Sequence, residues 1–231
     1  MPSSTVENYL KAILQLADGG GETPTVAVGQ IATHLGLTPG TVTTMMKHLS
    51  KEGFIHYLPR RGVCLTPAGE KLGLQIVRRH RLIELFLVEV MQLDWAHVHE
   101  EAEVLEHVLS DRMVERIDEM LGRPAYDPHG EPIPDADGLL RRDDDLRALN
   151  DCGDERVRLV RVSRDDPPFL VWLQEHGLRP GASLEVVSRD PVGEILTLEV
   201  AGRPERVRIS TSAAGTLWVK GTIPERRRGL A

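Results

Sequence analysis

Cysteine is almost missing from this chain of 231 residues: Cys64 and Cys152 lie far apart and in no CxxC arrangement. That excludes a disulfide framework and gives no thiolate zinc site. No stretch approaches the roughly 18 consecutive apolar residues of a membrane helix. The opening Met1-Pro2-Ser3-Ser4 lacks the basic-then-apolar plan of a secretory leader, so a cytoplasmic protein with no membrane partner is expected. Also lacking are an H-E-x-x-H pair, a glycine loop for a phosphate cofactor, and a nucleophile with its base and orienter. An enzyme with a small-molecule substrate is therefore not expected. There is no internal repeat. What is present, 41% hydrophobic and 27% charged residues, suits a chain with a buried core. Its length suits one large domain or a few small ones.

Charge is segregated along the chain. Residues 1–80 carry 8 Lys+Arg against 5 Asp+Glu, residues 81–155 carry 7 against 21, and residues 156–231 carry 13 against 9. An acidic middle between basic ends fits either a solvated acidic face or a cation site beside a polyanion-binding domain. Val6, Tyr9, Leu10, Ile13, Leu14 and Ala17 have the spacing of a helix with one buried face, ended at Gly19-Gly20-Gly21. A second helix through Val28, Ile31, Ala32 and Leu35 stops at Gly36. Thr38 then offers an N-cap hydroxyl and Pro39 fits the first helical position, so a third helix begins at once. Its inward positions are Val42, Met45 or Met46, and Leu49; Gly40, Thr41, Thr43, Thr44, Lys47 and His48 form its outer face.

Phe54-Ile55-His56-Tyr57-Leu58 and Val63-Cys64-Leu65-Thr66 flank the basic turn Pro59-Arg60-Arg61-Gly62, which reads as a hairpin. The whole predicts a winged helix-turn-helix bound to double-stranded DNA. Thr38, Pro39, Gly40, Thr41, Thr43, Thr44 and Lys47 would meet bases or phosphates in the major groove, and Arg60 and Arg61 the backbone. The alternative is a protein-binding winged helix with a solvated polar face. A Thr-rich face free of acids from residue 40 to 48 favours DNA.

After Pro67 the pattern is helical to about Met91 and again over residues 98–121. Residues 122–155 hold Pro124, Pro128, Pro132, Pro134 and Asp143-Asp144-Asp145, and read as an irregular connection with a short helix near Leu146. From Arg156 apolar residues alternate, and short β runs at 183–187, 194–200, 206–209 and 216–219 predict a small β-barrel with a helical insertion at 169–176. The helical middle concentrates His80 and Glu84 on one helix and His99, Glu103, Glu106 and His107 on the next. The second set lies on a stripe beside the apolar one, where unpaired carboxylates need a cation. Carboxylates with imidazoles and no thiolate suit Mn(II), Fe(II), Co(II), Ni(II) or Zn(II). The Glu103-Val104-Leu105-Glu106-His107 spacing also occurs in dinuclear helical enzymes, but only one such element is present. Leu82, Phe86, Leu105 and Leu109 are more apolar than one layer of two helices needs, which predicts a symmetric homodimer.

These residues resemble the diphtheria toxin repressor and manganese transport regulator family of metal-activated bacterial repressors. The resemblance rests on Glu7-Asn8-Tyr9-Leu10, Thr41-Val42-Thr43, Leu65-Thr66-Pro67-Ala68-Gly69, Arg79-His80-Arg81-Leu82 with Glu84, and Val98-His99-Glu100-Glu101-Ala102 leading to Leu105-Glu106-His107. Asp127-Pro128-His129-Gly130-Glu131-Pro132-Ile133-Pro134 and Gly177-Leu178-Arg179-Pro180-Gly181 extend it. It implies an α+β multi-domain protein: a winged helix-turn-helix at 1–72, a helical dimerisation and metal-binding domain at 73–140, a linker at 141–155, an SH3-like (FeoA-like) small β-barrel at 156–224 and a basic tail at 225–231.

The resemblance further implies a primary metal site at Asn8, Glu103, Glu106 and His107 and a second at His80, Glu84 and His99, with an SH3-domain ligand falling near Asp166. Asn8 stands where iron-responding members have Met and manganese-responding members Asp. Glu103 stands where iron-responding members have Cys, as in the manganese-type branch. The expected ion is Mn(II), then Fe(II), with other divalent transition metals acting in vitro. The expected role is repression of metal-uptake genes by a homodimer on palindromic operators. A metal-independent winged-helix regulator and a helical dinuclear metalloenzyme are the rival readings.

Overall fold

The computed structural model describes residues 3–17, 25–140, 145–164 and 166–221. The Gly19-Gly20-Gly21 stop, Asp143, Asp144 and the basic tail at 225–231 lie outside the described residues. The chain divides into two compact units. One takes in Met1–Ile83, Glu103–Met120 and Ile133–Arg141, the other Glu84–Ala102, Leu121–Pro132 and Arg142–Ala231.

In the first unit, α1 (Ser4–Ala17) buries Val6, Tyr9, Leu10 and Ile13, as their spacing predicts. The same buried side of α1 carries Glu7 and Lys11, each only 5% exposed. After α2 (Val28–His34) the chain turns at Gly36, which has a φ of +64°. The helix α3 (Pro39–Lys51) then starts with Thr38 Oγ1 accepting from the Thr41 amide and Pro39 at its first position. Val42, Met46 and Leu49 are fully buried, so Met46 rather than Met45 takes the inward place. The strands β1 (Ile55–Leu58) and β2 (Gly62–Leu65) pair antiparallel from Ile55–Leu65 to Leu58–Gly62. Val26 exchanges two backbone hydrogen bonds with Val63 and adds a short third rung. Gly62 permits that approach: its φ is +123°, and a Cβ there would lie 2.3 Å from Val26 O. These elements share one core and form the winged helix-turn-helix.

A long helix, α4 (Pro67–Glu89), follows. The single helix expected over 98–121 is instead two, α5 (Val98–Leu105) and α6 (Asp111–Met120). The break has a local cause. Ser110, an N-cap residue with Asp111 behind it, accepts from the Met113 amide through its Oγ at 3.4 Å and so starts a new helix. At the other side of the turn, Arg79 Nη1 donates to Glu106 O at 3.1 Å. Glu106 and His107 therefore sit in a turn and not on a helical stripe. Arg78 fastens the first unit by donating to Asp118 at 2.9 Å and to Pro134 O at 3.3 Å.

The second unit is built on an antiparallel sheet. Its strands are β3 (Arg147–Ala148), β4 (Arg156–Val162), β5 (Ser183–Asp190), β6 (Ile195–Val200), β7 (Val207–Ser210) and β8 (Leu217–Gly221), in the order β3-β8-β4-β5-β6-β7. Between β4 and β5 lies α7 (Pro167–Glu175), the expected helical insertion, and α8 (Thr211–Ala214) links β7 to β8. Register shifts after Leu159 and Val186 bend β4 and β5. Where a short helix is expected near Leu146, Arg147 and Ala148 pair with β8, and a single 3-10 turn follows at Leu149–Asp151 with Leu149 in the core. Trp95 and Ala96, far earlier in sequence, join that core. Gly130 fits where no side chain does: an added Cβ would lie 1.9 Å from Val160 O. Among the described residues no helix is long and apolar enough to cross a membrane.

Candidate metal centres and nucleic-acid surface

The first cluster gathers around a lysine. Lys11 Nζ donates to Glu103 Oε1 at 2.5 Å and to Glu106 Oε2 and Oε1 at 2.9 and 3.2 Å, and lies 3.0 Å from His80 Nδ1. The His80 ring also faces Glu106 Oε2 at 2.5 Å. One turn before Lys11 on α1, Glu7 Oε2 lies 2.7 Å from His107 Nδ1. A carboxylate only accepts, so Nδ1–H is the donor and the Nε2 lone pair of the neutral ring points elsewhere. That Nε2 is buried without a hydrogen-bond partner, 3.6 Å from Glu106 Oε1, and Asn8 Oδ1 is likewise buried without one.

An imidazole oriented through its other nitrogen by a carboxylate is the usual preparation for metal binding. Glu103, Glu106 and His107 bring one donor atom each within 4.8 Å of one another. This donor set fits a divalent cation, although Lys11 already engages both carboxylates. Glu106 is fully buried. Burial would raise its pKa, but the hydrogen bond with His80 and the Lys11 ammonium outweigh it and hold the carboxyl below its usual value. Arg79 completes the surroundings, with Nη1 3.9 Å from Glu7 Oε1 and Nη2 donating to Asp111 at 2.8 Å.

A second cluster lies in the other unit. Glu84, Asp127 and His129 are all buried and bring donor atoms within 4.8 Å. His129 Nε2 is 3.1 Å from Trp95 O. A carbonyl accepts, so Nε2 carries the proton and the Nδ1 lone pair lies 3.9 Å from Glu84 Oε2. The Trp95 ring stacks on His129 with centroids 5.2 Å apart and fixes its plane. Asp127 Oδ1 accepts from the His129 and Glu131 amides at 2.8 and 2.9 Å, and His99 Nδ1 lies 3.1 Å from Glu84 Oε1. Two buried carboxylates beside an imidazole lone pair also fit a divalent cation.

Each unit gathers some of the site residues expected from sequence. Asn8, His80, Glu103, Glu106 and His107 belong to the first cluster, Glu84 and His99 to the second. Asp166 instead caps α7, accepting from the Phe169 amide at 3.3 Å and from Arg164. Sequence reasoning passed over Glu7, Lys11, Asp127 and His129 as site residues. The signal for Lys11 was its place between Leu10 and Ala12, one turn after Glu7; that for Asp127 and His129 was an acid and an imidazole two residues apart in a proline-rich loop.

On α3, Thr38, Pro39, Gly40, Thr41, Thr44, Lys47 and His48 are exposed and Thr43 is half-buried. Thr43 and Thr44 donate their hydroxyls to the Pro39 and Gly40 carbonyls at 2.7 and 3.1 Å, leaving methyl groups and oxygen lone pairs for contact. Arg60 and Arg61 are exposed at the hairpin tip, where Arg60 holds a φ of +68°.

Residues 1–63 match the N-terminal DNA binding domain of iron dependent repressors, residues 66–135 their metal binding and dimerisation domain, and residues 149–221 the FeoA domain. The chain is 30% identical over 213 residues to the iron-dependent repressor IdeR of Mycobacterium leprae (strain TN), covering 84% of this chain and 88% of that protein. The chain belongs to the diphtheria toxin repressor family. The diphtheria toxin repressor of Corynebacterium efficiens is 33% identical over 195 residues, 80% of this chain and 83% of that protein. A solved manganese-dependent transcriptional repressor in complex with manganese is 33% identical with a TM-score of 0.85, covering 94% of this chain and all of that one. This member of the diphtheria toxin repressor family is a metal-activated DNA-binding repressor and not an enzyme. Its parts are an N-terminal DNA-binding domain, a helical dimerisation domain and a C-terminal SH3-like, strand-rich domain.

Proposed function

We propose that this repressor responds to Mn(II) first and Fe(II) second, with other divalent transition metals effective in vitro, and represses metal-uptake genes. The supporting observation is the His107 Nε2 lone pair, buried and unpartnered beside two carboxylates and oriented by Glu7. Glu103, Glu106 and His107 would hold the ion, with the Asn8 amide oxygen at the margin. Glu84, His99, Asp127 and His129 would hold another. Both sets are rich in oxygen and lack a thiolate, which by ligand type suits Mn(II), the weakest binder of the first-row series. A bound ion supplies positive charge that lets the buried carboxylates coexist.

The α3 face from Thr38 to Lys47 and the wing arginines Arg60 and Arg61 would contact a palindromic operator as a homodimer in the cytoplasm. Leu82 is fully buried within the protomer, so it is not free for a partner. Val104 and Val108, 66% and 71% exposed around the end of α5, are among the exposed apolar side chains available for one. We assign the DNA-binding domain to 1–72, the dimerisation domain to 73–140 and the SH3-like domain to 156–224, joined by 141–155. The test is DNA binding by purified, chelator-treated protein titrated with each divalent metal against an operator selected from random duplexes. Affinity should rise with Mn(II) and Fe(II) and fall with chelator. Equal binding in chelator and in Mn(II) would leave a constitutive repressor as the answer.

A further inference from the structure

Three carboxylate oxygens accept from the Lys11 ammonium within 3.2 Å, Glu103 Oε1 and both Glu106 oxygens, and His80 Nδ1, whose proton goes to Glu106 Oε2, lies 3.0 Å away. Those oxygens belong to two different carboxylates, so Lys11 sits as an ion between its counter-charges and not as the partner of a single acceptor. A lysine this buried requires paired charge. Its counter-charges are the two carboxylates that a divalent ion at Glu103, Glu106 and His107 would also use.

Local charge sets how many ions fit. Glu7, Glu103, Glu106 and Asp111 contribute four negative charges, and Lys11 and Arg79 two positive ones. One divalent ion leaves the group neutral, whereas two would leave two excess positive charges.

We propose that Lys11 is a resident cation of the first cluster: its ammonium takes one of two adjacent cation positions, holding Glu103 and Glu106, and leaves the cluster room for a single divalent ion. The inference rests on the reading that Glu103, Glu106 and His107 bind the activating ion. It also means that α1 is tied to the end of α5 by an ion pair in the metal-free protein, through groups a metal would otherwise have to bridge.

Counting Mn(II) per protomer by equilibrium dialysis and elemental analysis tests this on the full chain carrying Glu84→Gln and His129→Ala, which disable the second cluster. With Lys11 present the count should be one. Adding Lys11→Glu, or Lys11→Gln, should raise it to two in protein whose circular dichroism is native, while Lys11→Arg should keep it at one. In chelator the Lys11→Glu protein should melt below its parent and gain more from Mn(II), since its carboxylates then lack a cation. Two ions with Lys11 in place would overturn the proposal. So would a count of one in a folded Lys11→Glu or Lys11→Gln protein. Failure of the underlying metal reading looks different: His107→Ala added to the parent would then leave the count at one instead of abolishing binding.

Discussion

Glu103 reaches Lys11 Nζ at 2.5 Å and is grouped with Glu106 and His107, at the position where iron-responding members of the family it resembles have a thiolate. A carboxylate there keeps the site hard, whereas a thiolate would favour softer ions. Glu103→Cys should shift activation of DNA binding away from Mn(II) toward Fe(II), Co(II) or Zn(II), read as the metal concentration giving half-maximal operator binding. His48→Ala on α3 should leave the order of metals untouched. An unchanged order in Glu103→Cys would remove Glu103 from the ligand set. Asn8 acts in the opposite sense to Glu103: its neutral amide brings no negative charge, so modest affinity and incomplete discrimination between Mn(II) and Fe(II) are expected.

Two elements are shaped for DNA, and they differ in what they read. On α3 the outward positions are short hydroxylated side chains and Lys47, able to meet base edges, thymine methyls and phosphates. The wing offers charge alone. Arg60 keeps a left-handed φ of +68° that glycine would adopt more readily, so the tip retains a cation where backbone geometry favours none. Replacing Arg60 and Arg61 together by alanine should weaken specific and non-specific DNA alike and reduce the slope of log affinity against log salt by about 2. An unchanged slope would show that the wing does not touch the backbone. The break between α5 and α6 matters at the same scale. An unbroken helix would place Glu106 and His107 on its surface stripe, whereas the turn at Ser110 lets them meet Lys11 and Glu7 from α1.

For the whole molecule, the dimerisation domain matched by residues 66–135 and the exposed Val104 and Val108 lead to an expectation of association without metal. Sedimentation of the chelator-treated protein at micromolar concentration should show a dimer. Val104→Asp with Val108→Asp should shift it to monomer, because burying each valine contributes about 1.5 kcal/mol or more and an aspartate reverses that gain. A metal-free wild-type monomer under these conditions would move dimerisation to a metal-dependent step.

Local rules made much of this protein legible from sequence. The helical spacing of Val6, Tyr9, Leu10 and Ile13, the Thr38-Pro39 start of α3, the Arg60-Arg61 hairpin and the alternation after Arg156 each depend on near neighbours, and each appears where expected. The acid and imidazole content of the middle segment likewise pointed to a cation. Which of those groups meet was not local. Lys11 and Glu106 are 95 residues apart, Glu7 and His107 100, and a Glu–Lys pair one turn apart on a helix has the same sequence spacing whether it faces solvent or a buried cluster. Only the tertiary structure turns that side of α1 inward, pairs Glu84 with His129 in the second unit, and sends the β3 strand into the sheet. Periodicity fixes which face of an element is apolar; long-range packing alone decides which charges that face brings together.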